Sequence, residues 1–156
     1  MRWLWLSLFV VGLDQWTKSL ASLHLSYAVA QPILPGFNLT LLHNTGAAFS
    51  LLQNAGGWQR IFFIVLAVAI SAVLLVWLWR IPPGQRWMPA TLALILGGAL
   101  GNLWDRIWLG YVVDFLDVYL GQLHWPAFNV ADSAICVGAA MLIIDALWLE
   151  SRRTPR

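Results

Sequence analysis

A single cysteine, Cys136, stands in 156 residues, so the chain can form neither an internal disulfide nor a multi-cysteine metal site. It lies in an apolar run, which predicts a buried structural thiol rather than a nucleophile. Charge is nearly as scarce: only 10% of residues are Asp, Glu, Lys or Arg, and the formal net charge is +2. The basic residues are scattered, which excludes a nucleic-acid surface. His24, His43 and His124 show no metal-ligand spacing, and no HExxH or CxxC occurs. Solvent or headgroup contact is expected of all three. The chain also lacks a G-x-S-x-G, a Walker loop and a dinucleotide fingerprint. No metal or organic cofactor is implied.

Apolar residues fill the space that charge leaves. Hydrophobic residues make up 60% of the chain, and the mean hydropathy is +0.73. Such a composition reads as an integral membrane protein. Eleven tryptophans suit a protein with much interfacial surface. Four segments are long enough for the about 20 helical residues a bilayer requires. They cover approximately residues 3–25, 58–79, 88–109 and 131–149. The first carries Asp14, Gln15 and Lys18 and has no small-residue cleavage site, so it reads as a retained helix rather than a signal peptide.

The connections set the orientation. Residues 80–87 form a short one, with Pro82, Pro83 and Gly84 flanked by Arg80 and Arg86. The two longer connections, 26–57 and 110–130, contain no Lys or Arg. Arg2, Arg80, Arg86, Arg152, Arg153 and Arg156 thus share one side, which the positive-inside bias makes cytoplasmic. Both termini are expected inside and both long connections outside. Arg60, at the outer end of the second span, is the exception, and snorkelling accommodates it. Within the first outer connection, residues 37–42 alternate imperfectly, as in a strand. His43-Asn44-Thr45-Gly46 reads as a turn, with residues 47–52 returning as a second short strand.

Ionisable residues inside spans are costly and face partners or cavities. Asp14 and Lys18 sit at i and i+4, which fits a self-contained ion pair or a lysine directed to an outward polar site. Asn102, Asp105 and Arg106 cluster at the outer end of the third span, after Gly97, Gly98 and Gly101, which permit close helix approach. Asp132 opens the fourth span beside Asn129, where a carboxylate also serves as a first-turn cap. Asp114 and Asp117 follow the third span between apolar neighbours, and the local pattern does not choose between them.

Two carboxylates brought together at one membrane face form a device for activating water: one takes its proton while the protonated partner bonds the scissile carbonyl. Ser133 has no histidine placed to serve as its base. Peptide-bond hydrolysis at the outer face is therefore the expected class. A transporter would instead distribute its polar groups through the bilayer. Here most collect near one face, with Asp14 the main exception.

Four stretches, LDQWTK, NLTLLHNTGAAFSLL, GGALGNLWDRIWLGYVVDFLDV and PAFNVADSAICVG, resemble bacterial lipoprotein signal peptidase, the type II signal peptidase. The similarity runs in order over essentially the whole chain. It implies an all-α integral membrane fold of four transmembrane helices with a small extracytoplasmic β-sheet cradle from the first outer loop. It implies an inner-membrane aspartic peptidase, both termini cytoplasmic, with its active site near the periplasmic face. The implied substrate is a prolipoprotein whose signal peptide is cut on the amino side of a diacylglyceryl-modified cysteine. Membrane lipid is a partner, nucleic acid is not, and a globomycin-type inhibitor is expected. Matched position by position, the catalytic aspartates fall on Asp114 and Asp132. Asn44, Gly46, Asn102, Arg106, Asn129 and Ala131 carry over as pocket or substrate-contacting positions, and Asp14, Lys18 and Asp105 as supporting ones. None of these positions departs from the family pattern.

Overall fold

The computed structural model describes residues 2–46 and 57–149. In chain order the elements are α1 (Leu4–His24), β1 (Gln31–Leu34), β2 (Phe37–Asn44), α2 (Trp58–Arg80), α3 (Trp87–Trp108), β3 (Val112–Leu120), β4 (Leu123–His124) and α4 (Val130–Ile144). A π-helical turn, Asp145–Leu149, extends α4.

Helix α3 is the hub, packing against α1, α2 and α4. Its glycines make this possible. A Cβ on Gly97 would meet Val10 Cβ at 2.7 Å, and one on Gly101 would meet Asp14 Oδ2 at the same distance. On Gly98 it would run into the Ala131 carbonyl oxygen and reach Ile135 Cγ1 at 2.7 Å. The close approach expected of these glycines is therefore built in. Gly98→Ala, opposed by backbone rather than by a mobile side chain, is expected to lower stability by about 1–3 kcal/mol, read as a drop in Tm in detergent.

Among the described residues, three helical stretches are long and apolar enough to cross a membrane: Trp58–Arg80, Trp87–Trp108 and Val130–Leu147. The first is almost wholly turned outward, with Ile61, Val65 and Val73 exposed and only Gln59, Ser71 and Leu74 buried. Helix α1 has 21 residues, and its polar residues keep it below that apolarity. They are not on its outer face: Asp14 and Lys18 are buried, whereas Trp5, Phe9 and Trp16 are exposed.

The sheet is antiparallel in the order β1-β2-β3-β4. It differs from the expected cradle in drawing strands from both long connections, 26–57 and 110–130. His43 and Asn44 are not a turn; they continue β2 and pair with Val113 and Val112. The return strand expected over residues 47–52 lies outside the described residues. Strand β3 escapes period-two reading because its first four residues, Val112 to Phe115, are all buried. Pairing Leu42 with Asp114 fixes that aspartate on the sheet. Leu116 and Phe128 then exchange backbone hydrogen bonds of 2.9 and 3.0 Å, which delivers Asn129 to the start of α4. Cys136 is exposed, correcting the expectation of a buried thiol. Its position on α4 faces away from the glycine seam, which uses Ala131, Ile135 and Gly138.

Candidate active site

The C-terminal end of α3, the start of α4 and the first half of β3 meet around two carboxyl groups. Asp132 belongs to a reciprocal cap of α4: its N–H donates to Asn129 Oδ1 at 2.9 Å, and the Asn129 N–H donates to Asp132 Oδ2 at 3.2 Å. Its other oxygen, Oδ1, accepts from Asn102 Nδ2 at 2.8 Å. Asp114, buried on β3, accepts from Asn44 Nδ2 at 3.0 Å and from Asn129 Nδ2 at 2.7 Å. Asn129 Nδ2 also approaches Asn102 Oδ1 at 3.2 Å and the Val113 carbonyl at 3.3 Å. The two carboxyls are thus joined by a bridge of side-chain amides, Asp114 to Asn129 to Asn102 to Asp132.

Burial pushes the Asp114 carboxyl up to about 7, and the charge of Asp132 adds to the rise against the Asn44 and Asn129 hydrogen bonds. Asp117 differs. Burial pushes it upward, but His124, Asn38 and Thr40 outweigh that and hold it below the usual carboxylate range. Its oxygens meet His124 Nδ1 at 2.7 Å, and Asn38 Nδ2 and Thr40 Oγ1 each at 3.1 Å. Asp117 is therefore bound within the sheet, and Asp114 is the residue beside Asp132.

Behind the pair lies a buried ionic cluster. Lys18 Nζ contacts Asp14 Oδ2 at 2.7 Å and Asp105 Oδ2 at 2.9 Å, and donates to Asn102 Oδ1 at 2.9 Å. The pair with Asp14 expected within α1 is present but is not self-contained, because Lys18 reaches Asp105 and Asn102 as well. Asp14 Oδ1 accepts the Ala131 N–H at 2.9 Å, and Asp105 Oδ2 accepts the Val113 N–H at 3.1 Å. The cluster therefore holds both backbones that carry the carboxyls. Gln15 Nε2, named above only as a polar residue of the first span, ties Asp105 Oδ1 at 2.8 Å. Its spacing of three residues from Lys18 was the available signal.

Two clefts open on the pair. One of about 600 Å³ is lined by Asp114, Asp117, His43, His124 and Tyr27, and another of about 430 Å³ by Asp132, Asn102, Arg106, Ile135 and Cys136. Asn44 and the segment Trp125-Pro126-Ala127 border both. Asn129 and Ala131, fully buried, line neither; they serve from behind. Arg106 Nη2 donates to the Gly46 carbonyl at 3.0 Å, and the Gly46 N–H donates to Asn44 Oδ1 at 3.0 Å. Ser133 Oγ donates to the Asn129 carbonyl, four residues back along the chain, at 2.9 Å. The histidines are more than solvated groups: His43 stacks on Tyr111 at 4.0 Å and His124 on Tyr119 at 5.1 Å. Among the described residues no group of His, Cys, Asp or Glu is arranged to hold a metal ion.

The chain as a whole is similar to known proteins. The family described as Signal peptidase (SPase) II matches residues 6–148. The chain is 58% identical over 151 residues to a lipoprotein signal peptidase of Acinetobacter baumannii, covering 97% of this chain and 86% of that protein. It is 51% identical over 156 residues to one of Serratia proteamaculans, covering 100% and 92%. A solved structure described as a bacterial membrane enzyme, determined by the in meso method at 2.3 Å resolution, superposes with a TM-score of 0.88 at 29% identity, over 99% of this chain and 93% of that one. With the family pattern covering nearly its whole length, the chain belongs to the signal peptidase II family of aspartic peptidases.

Proposed function

We propose that the protein removes signal peptides from diacylglyceryl-modified prolipoproteins, cutting on the amino side of the lipidated cysteine with Asp114 and Asp132 as its catalytic pair. One observation carries the reading: two carboxyls from different elements, β3 and α4, are bridged by the Asn129 and Asn102 amides and open on adjoining clefts.

The two carboxyls divide the work. Asp132 sits at the N-terminus of α4, where backbone N–H groups and the helix dipole favour its anion. Asp114, with its carboxyl raised to about 7, holds the proton near neutral pH. Asp132 takes a proton from water as the hydroxide adds to the scissile carbonyl, and Asp114 gives its proton to the carbonyl oxygen. The tetrahedral intermediate then collapses: Asp132 returns its proton to the leaving nitrogen, the C–N bond breaks, and Asp114 recovers a proton from the diol. One water is consumed and both carboxyls end as they began.

Cleavage is accordingly expected to fall as pH rises through about 7, because the proton on Asp114 is lost. Asn44→Ala removes a hydrogen bond that favours the Asp114 anion. The alkaline limb of kcat should then move to higher pH, measured as a kcat–pH profile.

The topology belongs to the same proposal. Helix α1 is the fourth span of a single membrane domain: its polar groups are turned onto α3 and α4 and its outer face is apolar. Arg2, Arg80 and Arg86 mark the cytoplasmic end of a bacterial inner-membrane protein, and the pair lies at the periplasmic end. The cleft walled by Ile135, Phe128 and Val112 beside Asp132 suits lipid-modified substrate and a globomycin-type cyclic peptide. The test is purified protein in vesicles given a diacylglyceryl-modified prolipoprotein and its unmodified counterpart. Only the modified one should be cut, leaving a lipidated cysteine at the new N-terminus by mass spectrometry, and globomycin should block it. Failure to cut either, with proton flux across the vesicles, would overturn the reading in favour of transport.

A further inference from the structure

Arg60, the one basic residue at the outer end of α2, does more than snorkel. The last turn of a helix leaves carbonyls without intrahelical partners, and its dipole is negative there. At the end of α3, the Leu109 and Gly110 N–H groups return to the Asp105 carbonyl at 2.7 and 3.2 Å. Arg60 serves the next two: Nε donates to the Arg106 carbonyl at 2.8 Å and Nη2 to the Ile107 carbonyl at 2.9 Å. One turn along α2, the Phe63 ring lies 5.1 Å from the Arg106 guanidinium carbon. The outer turn of α2 therefore grips Arg106 twice, by its backbone and by the face of its side chain. From Arg106 the contacts continue through the Gly46 carbonyl and the Gly46 N–H to Asn44, and from Asn44 to Asp114.

We propose that Arg60 is a positioning residue for the catalytic pair, acting through Arg106 to hold Asn44 against Asp114. Among the described residues helix α2 packs chiefly on α3 and is otherwise turned outward, and this contact makes it part of the proposed active-site support. The inference rests on the proposed cleavage reaction. Snorkelling requires only a cation, whereas the contacts seen here come from two separate nitrogens, Nε and Nη2, held in the fixed plane of a guanidinium, a geometry that lysine's single ammonium cannot reproduce.

A double-variant cycle tests the proposal. Arg60→Ala is expected to lower kcat about tenfold, within the coupling range of neighbouring residues, with KM little changed. In an Arg106→Ala background the same substitution should add nothing. Arg60→Lys should fail to restore kcat. Independent effects of Arg60→Ala and Arg106→Ala, or full rescue by lysine, would overturn the proposal. If Arg60→Ala does not fold, Arg60→Lys serves in both backgrounds. A second readout needs no turnover: Cys136, the sole cysteine, lines the same cleft as Arg106. Its maleimide labelling rate should respond to Arg60→Lys when Arg106 is present and not in Arg106→Ala. That result stands even if the chain cuts no prolipoprotein, and a response equal in both backgrounds would refute the coupling.

Discussion

Asp114→Asn and Asp132→Asn should each lower kcat/KM by at least about 10³-fold, in the vesicle assay with a diacylglyceryl-modified prolipoprotein. The amide keeps the shape of the carboxyl but neither takes a proton from water nor delivers one to carbonyl or nitrogen. The double variant should be scarcely worse than either single one, because two groups acting as a unit are lost together. Stability should separate the variants. Asp114 already resists ionisation in its buried place, so its amide should leave Tm near wild type. Asp132→Asn disturbs the reciprocal cap with Asn129 and should cost about 1 kcal/mol. Asp117→Asn is the control, since its oxygens are engaged by Asn38, Thr40 and His124 within the sheet. Wild-type cleavage by a folded Asp114→Asn or Asp132→Asn protein would remove the pair from the mechanism.

The largest stability loss is expected from Lys18→Met. Lys18 is 3% exposed, between Asp14 at 0% and Asp105 at 1%. Taking away the cation strands two carboxylates in a buried site, and breaking such a pair costs about 3–5 kcal/mol. Thermal or denaturant unfolding in detergent measures it. Neutralising the stranded partners as well, in Lys18→Met/Asp14→Asn/Asp105→Asn, should return most of the loss. The penalty comes from unpaired charge rather than from the missing lysine stem. No recovery in the triple variant would show instead that packing of the stem dominates.

How much of this was legible in the sequence follows from the range of each interaction. The spans of α2 and α3 were readable to within a residue or so because apolarity is a property of the segment itself. The polar cluster was legible as a grouping by depth, since an ionisable residue in a span needs a partner. Its pairings were not: Lys18 to Asn102 spans 84 residues of chain. The choice of Asp114 over Asp117 came from motif resemblance alone. In the structure β2 presents Asn38 and Thr40 to Asp117 and Asn44 to Asp114, a difference the local pattern does not carry. Strand β3 was missed because a strand buried on both faces loses its alternation. Cys136 was misjudged for a related reason. An apolar run does not distinguish the packed side of a helix from the side that borders a cleft.

The two carboxyls come from structures that form in different surroundings. Asp132 rides on a helix inserted with the bundle, whereas Asp114 is placed by a sheet whose strands lie on either side of two helices in the chain. The proposed pair is therefore complete only once β2 and β3 have met across the two helices that separate them in the chain.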